Sequence, residues 1–105
     1  MLFFLNVRVN QPTDMPIERL YHIWYQEAQA AIGAAEAGVV KGIWKVAGKR
    51  QVLVIVDVPS HDDLDRALAS LPIFRAMGGS LDMEILPLRP YENFAEDLAK
   101  EVGQA

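Results

Sequence analysis

PIERLYHIWYQEAQAAIGAAEA, residues 16–37, is the stretch around which the rest of the chain is organised. At about 100° per residue, its apolar side chains share one broad arc and its polar side chains occupy the opposite side. The stretch therefore predicts one long amphipathic helix. Thr13 or Asp14 can cap its start, and Pro16 suits its first turn. Gly38 is the type of residue that ends a helix.

One ionisable residue of this helix, Glu27, falls inside the apolar arc. Its neighbours on the arc are Leu20, Ile23, Ala31 and Ala34. A carboxylate among apolar side chains either has a partner or has a raised pKa. Glu27 is therefore the first candidate for a functional residue. The alternative is that Glu27 lies at the rim of the arc and reaches water or a nearby lysine.

Composition and charge narrow the function classes. The 105 residues suit a single domain, and 51% of them are hydrophobic, which is enough for a core. The net charge of −4 argues against partners such as nucleic acid or an anionic membrane surface. Without cysteine, the chain forms neither disulfides nor thiolate metal sites. The first residues lack the pattern of a signal peptide, and no apolar run approaches the length of a membrane span, so we expect a cytoplasmic protein.

The remaining elements follow from alternation of apolar residues and from turn residues. We predict strands at Leu2–Val9, Val39–Val46, Gln51–Val58 and Leu81–Leu88, a second helix capped by Ser60 and ending at Leu71, a loop at Ile73–Gly79, and a tail helix at Tyr91–Val102. The order βαββαβ indicates an α+β, ferredoxin-like sandwich, in which two helices cover one face of an antiparallel sheet. We assign residues 1–90 to this domain and residues 91–105 to the C-terminal tail helix.

The third strand predicts a partner. It is apolar on both faces over Val52–Val56, which is typical of a strand that is covered on both sides. Two helices cover only one face of a sheet in a chain of this size. The other face therefore favours a homodimer, which would make the assembly a dimeric α+β barrel.

Five short motifs occur in a fixed order along the chain. They are Met1-Leu2-Phe3, Pro12-x-Asp14-Met15, Trp44-x-x-Ala47-Gly48, Asp57-Val58-Pro59-Ser60 and Leu71-Pro72-x-Phe74-x-x-Met77. In this arrangement the chain resembles the muconolactone delta-isomerase family over Met1–Met77. Glu27 falls on a position where members of that family also carry Glu.

The resemblance implies a function. Members of the family are cofactor-free isomerases that shift a double bond in a small unsaturated lactone during the catabolism of aromatic compounds. A carboxylate removes a proton from a carbon conjugated to the lactone carbonyl and returns it further along, and Glu27 is the candidate for this base. The dienolate oxygen formed on the way needs hydrogen-bond donors or a positive charge. Lys45 is the favoured cation because it follows Trp44 at a family motif, and Lys41 and Arg8 are the alternatives.

Three aromatic residues are further candidates for the expected site. Trp24 and Trp44 are candidates for the wall of a substrate pocket, with plain core positions as the alternative. Tyr25 lies at the boundary of the apolar arc, where it could donate a hydrogen bond to a ligand or cover the rim. His22 and His61 form no recognisable metal motif, and the chain has neither a phosphate loop nor a nucleotide-binding fingerprint, so we expect neither a metal nor a cofactor. Family members assemble into rings of dimers, and the resemblance extends that expectation to this chain.

The chain also departs from the family pattern. RQVLVIVDV, residues 50–58, replaces an aromatic and polar strand, and Gly42 replaces a histidine. The pocket is therefore expected to be more apolar than that of the family. This favours, as an alternative, another enzyme on the same scaffold: a cyclase, a dehalogenase or a cofactor-free oxygenase of an aromatic or polyketide-like substrate. A non-catalytic binding protein that kept the fold is the remaining alternative.

Overall fold

The computed structural model describes residues 1–104, and its elements follow the predicted βαββαβ order. The strands are β1 Leu2–Val9, β2 Val40–Lys45, β3 Gln51–Asp57 and β4 Leu81–Leu88. The helices are α1 Ile17–Glu36, α2 His61–Ala69, α3 Pro72–Met77 and α4 Tyr91–Glu101, with a 3₁₀ turn at Gly78–Ser80 before β4. None of the helices within residues 1–104 is both long and apolar enough to cross a membrane.

The four strands form one antiparallel sheet in the order β2-β3-β1-β4. β1 is central, and alternate residues point to opposite faces of the sheet. Phe3, Leu5 and Val9 are buried beneath the helices, whereas Phe4 and Arg8 point to the other face. The predicted ferredoxin-like sandwich is therefore confirmed.

A bulge in β2 changes which of its side chains face the helices. The register with β3 shifts between Val40 and Gly42, so β2 holds one more residue than β3 across this interval. Directly paired residues lie on the same face of a sheet. Because of these pairings, Ile43 and Lys45 face the helices and Trp44 faces away from them.

Two hydrophobic clusters join the helices to the sheet. One contains Phe3, Leu5, Val54, Val56, Val58 and Leu64, and it fixes α2 on the central strands. The other contains Val9, Leu20, Ile23, Ile73 and Met77, and it fixes the first half of α1 and the whole of α3 at the opposite end of the sheet. α3 also packs on α2, so it bridges α1 and α2 at that end.

The loop predicted at Ile73–Gly79 is wrong, because most of it is the helix α3. Pro72 occupies the first helical position, where its fixed φ angle favours a helix and its missing N–H costs nothing. A proline is also typical just after a helix, which is why the second helix was predicted to end at Leu71, the residue before Pro72. That helix, α2, ends two residues before the predicted Leu71.

The caps of α1 and α2 differ in how well they were predicted. Ser60 accepts a hydrogen bond from the Asp63 N–H at 3.0 Å, which confirms it as the cap of α2. α1 has Pro16 at its N-cap with no side-chain hydrogen bond, so the expected capping by Thr13 or Asp14 is wrong. Gly38 follows α1 with φ of 85°, which confirms its role in ending the helix.

Two apolar surfaces lie outside the core. The face of the sheet opposite the helices, here called the outer face, carries Phe4, Trp44, Leu53, Ile55 and Leu86. Trp44 is 56% exposed and Leu86 is 45% exposed, although both are large apolar residues.

The tail helix α4 contributes the second apolar surface. No residue of α4 is buried, and Phe94 and Leu98 on its apolar side are exposed. The described chain measures 61 × 26 × 22 Å, which is elongated for its size. α4 ends one residue before the predicted Val102, and Ala105, the last residue of the predicted tail, lies outside the described residues.

Candidate active site

A cavity of about 460 Å³ lies between the helices and the sheet. α1 forms one wall, α2 forms another, and the three strands β1, β2 and β3 form most of the floor. Ile32, Val39 and Ile43 line the cavity and are themselves exposed, so it opens to solvent between α1 and β2. Concave, mostly apolar cavities of this size are typical of small-molecule sites.

Glu27 is the carboxylate of this cavity. It lies in the middle of α1, and its side chain is only partly exposed. Its Oε1 accepts a hydrogen bond from the backbone N–H of Ile73 at 3.0 Å. Ile73 is the second residue of α3, where a helix has N–H groups without partners inside the helix. Glu27 therefore supplies from α1 the partner that the start of α3 needs.

The surroundings of Glu27 favour its protonated form. Burial raises the pKa of the Glu27 carboxyl above its ordinary value, and the hydrogen bond from Ile73 offsets part of this rise. No basic side chain within residues 1–104 forms a salt bridge with Glu27. The sequence argument for a carboxylate with apolar neighbours therefore agrees with the structure, and the partner of this carboxylate is a backbone N–H.

Lys45 and Trp24 line the same cavity as Glu27. Lys45 comes from the last position of β2, and its side chain is exposed at the rim. Its Nζ donates a hydrogen bond to the carbonyl oxygen of Val46 at 3.1 Å. Within the described part of the chain, Lys45 is the single cationic side chain in the lining. The structure thus brings together three of the five residues that the sequence assigned to the site.

Trp44 and Tyr25 lie elsewhere. Trp44 is on the outer face, where its indole ring packs over Gly42, and it does not line the cavity. Tyr25 is 63% exposed on α1, and its hydroxyl oxygen accepts a hydrogen bond from Gln29 Nε2 at 2.9 Å. In the described chain, neither side chain contributes to the walls around Glu27.

The alternative cations are also outside the cavity. Arg8 pairs with Gln51 and Asp82 on the outer face, and Lys41 lies at the bulge of β2. Both are exposed. Residues 1–104 contain no group of three or more His, Asp or Glu side chains placed to hold a metal ion.

Comparison with known proteins identifies the family. The family model described as muconolactone delta-isomerase matches residues 1–93. The chain belongs to the muconolactone delta-isomerase family. Muconolactone Delta-isomerase 2 of Acinetobacter lwoffii is 32% identical over 88 residues, which cover 84% of this chain and 88% of the relative. Muconolactone Delta-isomerase of Cupriavidus pinatubonensis is 34% identical over 77 residues, covering 73% and 84%.

Solved structures agree with the family and with the fold. The crystal structure of a muconolactone isomerase superposes with a TM-score of 0.73 at 28% identity, covering 86% of this chain and 90% of that one. A 5-chloro-2-hydroxyhydroquinone dehydrochlorinase from Burkholderia phenoliruptrix superposes with a TM-score of 0.56 at 13% identity, covering 83% and 93%. The second likeness shows the fold alone. Membership in the muconolactone delta-isomerase family confirms the resemblance, and it supports an isomerase of aromatic catabolism.

Two features of the site were missed at the level of sequence. The helix α3, which presents Ile73 to Glu27, was predicted as a loop, and the available signal was Pro72 followed by five residues without a helix breaker. The outward position of Trp44 depends on the bulge in β2, and the available signal was Gly42 within a strand. Both features determine which side chains of this family member meet in the cavity.

Proposed function

We propose that this protein isomerises a small unsaturated lactone that carries a carboxylate, and that Glu27 is the base. Glu27 removes a proton from the carbon conjugated to the lactone carbonyl, which forms a dienolate. The same carboxyl group then returns the proton to a carbon further along the conjugated system, so the double bond moves and no atom is gained or lost. The observation that carries this proposal is the position of Glu27 as the one carboxylate lining the cavity in the described chain.

The environment of Glu27 suits a base that must also act as an acid. A general base works best when its pKa lies near the working pH, and burial moves the pKa of Glu27 in that direction. Ile73 holds Oε1 from the side of α3, which restricts the rotation of the carboxylate. Within residues 1–104, Oε2 has no hydrogen-bond partner, so it is the oxygen that we assign to proton transfer.

Lys45 and Trp24 have supporting roles in this proposal. The ammonium group of Lys45 stabilises negative charge, either on the dienolate oxygen or on the carboxylate of the substrate. Trp24 lines the cavity beside Glu27 on α1 and offers an apolar wall for the ring. The proposed steps transfer only a proton and require no redox group, so we propose that the enzyme needs no cofactor.

The test is an isomerisation assay with muconolactone that follows the absorbance change. Glu27→Gln keeps the size of the side chain and an oxygen for Ile73, but it removes the base, so we expect a loss in kcat on the order of 10² or more. Glu36→Gln is the matched control, because Glu36 is an exposed residue on the same helix. If Glu27→Gln retains the wild-type rate, Glu27 is not the base.

If the wild-type protein does not turn over muconolactone at all, isomerisation of that lactone is excluded. The alternatives given by the sequence would then be the hypotheses to test. These are a cyclase, a dehalogenase or a cofactor-free oxygenase on the same fold, and a non-catalytic binding protein. One observation favours the enzyme over a purely binding protein: in the described chain, Glu27 is neither fully solvated nor paired with a cation.

We further propose that the protein is a homodimer formed through the outer face. Phe4, Leu53 and Ile55 form a continuous apolar strip on the two central strands, and a second copy offers the same strip. Phe4→Asp should shift the particle toward the monomer in sedimentation analysis, whereas the exposed Glu36→Gln should not. Assembly into rings of dimers and a cytoplasmic location stay predictions, which particle mass and cell fractionation test.

A further inference from the structure

The cavity is much longer than a small lactone requires. Lys45 pairs with Val52 near one end of β3, and Val58, which lies just beyond β3, lines the other end of the cavity. Val58 comes six positions after Val52, which corresponds to about 20 Å between their Cα atoms at the usual strand rise. A six-carbon lactone acid is roughly 8 Å long, given carbon–carbon bonds near 1.5 Å.

The polar groups of the cavity are gathered at one end. Lys45 lies at the Val52 end, and the partner of Glu27 is Ile73, in the helix that covers this same end of the sheet. The other end, here called the apolar end, is lined by aliphatic residues alone. These are Val40, Val56, Val58, Leu64 and Leu68.

Short side chains create this space. Ala28, Ala31 and Ala34 follow one another along the cavity side of α1, and Ala67 lines the cavity from α2. Residues spaced by three positions lie on the same side of a helix. A larger residue at any of these positions would fill the room between the helices and the sheet.

From this geometry we infer a substrate class that rests on the proposed function and extends it. The substrate is an amphiphile, with the lactone and its negative charge at the Glu27–Lys45 end and an aliphatic or aromatic substituent of several carbons at the apolar end. Such a substituent removes apolar surface from water on both sides of the contact. An unsubstituted lactone acid would leave the apolar end without contacts.

The test measures how affinity depends on chain length, with straight-chain carboxylates from butanoate to decanoate as probes in isothermal titration calorimetry. Each methylene that enters the apolar end should tighten binding about 3- to 4-fold, from about 0.8 kcal/mol per buried methylene. We expect one site per chain. A higher stoichiometry would instead indicate adsorption on the outer face. Affinity that stays flat along the series would overturn the inference.

A pair of neighbouring alanines locates the binding. Ala34→Leu places extra carbons in the cavity, so affinity should stop rising at a shorter chain length than in the wild type. Ala35→Leu is the control, because Ala35 is exposed and does not line the cavity. Equal effects of the two variants would contradict the inference, and circular dichroism checks that both are folded. The wild-type series stands even if Ala34→Leu does not fold.

The two proposals fail in different ways. If muconolactone is isomerised with a rate that depends on Glu27, but carboxylates bind without dependence on length, the proposed function stands and the substrate class is wrong. If affinity rises with length but no unsaturated lactone is converted, the apolar end binds as inferred and the isomerase proposal is wrong. Synthetic lactones with an alkyl substituent then combine both tests, because kcat/KM should rise with the length of the substituent.

Discussion

Glu27→Gln should change the stability of the protein in a direction that depends on pH. Burial raises the pKa of Glu27, so the folded chain binds this proton more tightly than the unfolded chain does. Wild-type stability relative to the Gln variant is therefore highest below the unfolded pKa of about 4.3 and falls as the pH rises through the raised folded pKa. At neutral pH the charge-free Gln variant should be the more stable protein.

Two opposing contributions set the magnitude of this difference. The Gln side chain still accepts a hydrogen bond from Ile73, but it loses the extra strength of a charged acceptor, about 1 kcal/mol. Removal of the buried charge outweighs this loss, because burial is the larger cause of the pKa shift. Each 1 kcal/mol of difference corresponds to about 4 °C in Tm for a chain of this size. Solvent at the open side of the cavity keeps the effect small.

The assay is urea unfolding of wild type and Glu27→Gln at a series of pH values between 3.5 and 8. The difference in the free energy of unfolding should move in favour of Gln as the pH rises and then become constant. Glu36→Gln, an exposed change on the same helix, is the control for effects of net charge. If the wild type instead gains stability relative to Glu27→Gln over this range, the hydrogen bond dominates over burial, and the reasoning about Glu27 as a base with a raised pKa is refuted.

Three further substitutions test the local structure. Ser60→Ala removes the oxygen that caps α2 and should cost about 0.5–2 kcal/mol in urea unfolding; an unchanged midpoint would mean that the cap contributes nothing. Gly33→Ala should stabilise the protein by about 0.5–1 kcal/mol and so raise the Tm, because nothing apart from the local backbone of α1 lies within 4 Å of the added Cβ; a fall in Tm would indicate a contact that the isolated chain lacks. Gly42→Ala places a Cβ within 3 Å of the Trp44 ring, so tryptophan fluorescence should shift as the ring moves; an identical spectrum would contradict the packing of Trp44 over Gly42.

The fold was predictable because its signals are local. Alternation of apolar residues predicts β1, the apolar arc predicts α1, and the short connection predicts the hairpin of β2 and β3. The order of these elements along the chain then leaves few possible topologies. The position of Glu27 toward the cavity was predictable for the same reason, since its place on the arc depends only on the helical repeat. The family motifs selected the same residue by a separate route.

The remaining parts of the site depend on contacts between distant residues. Nothing near Glu27 in sequence indicates that its partner is Ile73, 46 residues away. The face occupied by Trp44 is set by one extra residue in β2, and a shift of one residue turns every following side chain to the other face. The extent of the cavity depends on how α1 and α2 pack against the sheet, which their individual sequences do not specify.

The hydrogen bond between Glu27 and Ile73 has a consequence for interpreting the sequences of related chains. Because this acceptor completes the start of α3, a descendant that abandons the reaction would still be under selection to keep an oxygen at position 27. On the proposed mechanism, glutamine there would mark a paralogue that preserved its architecture while losing its chemistry.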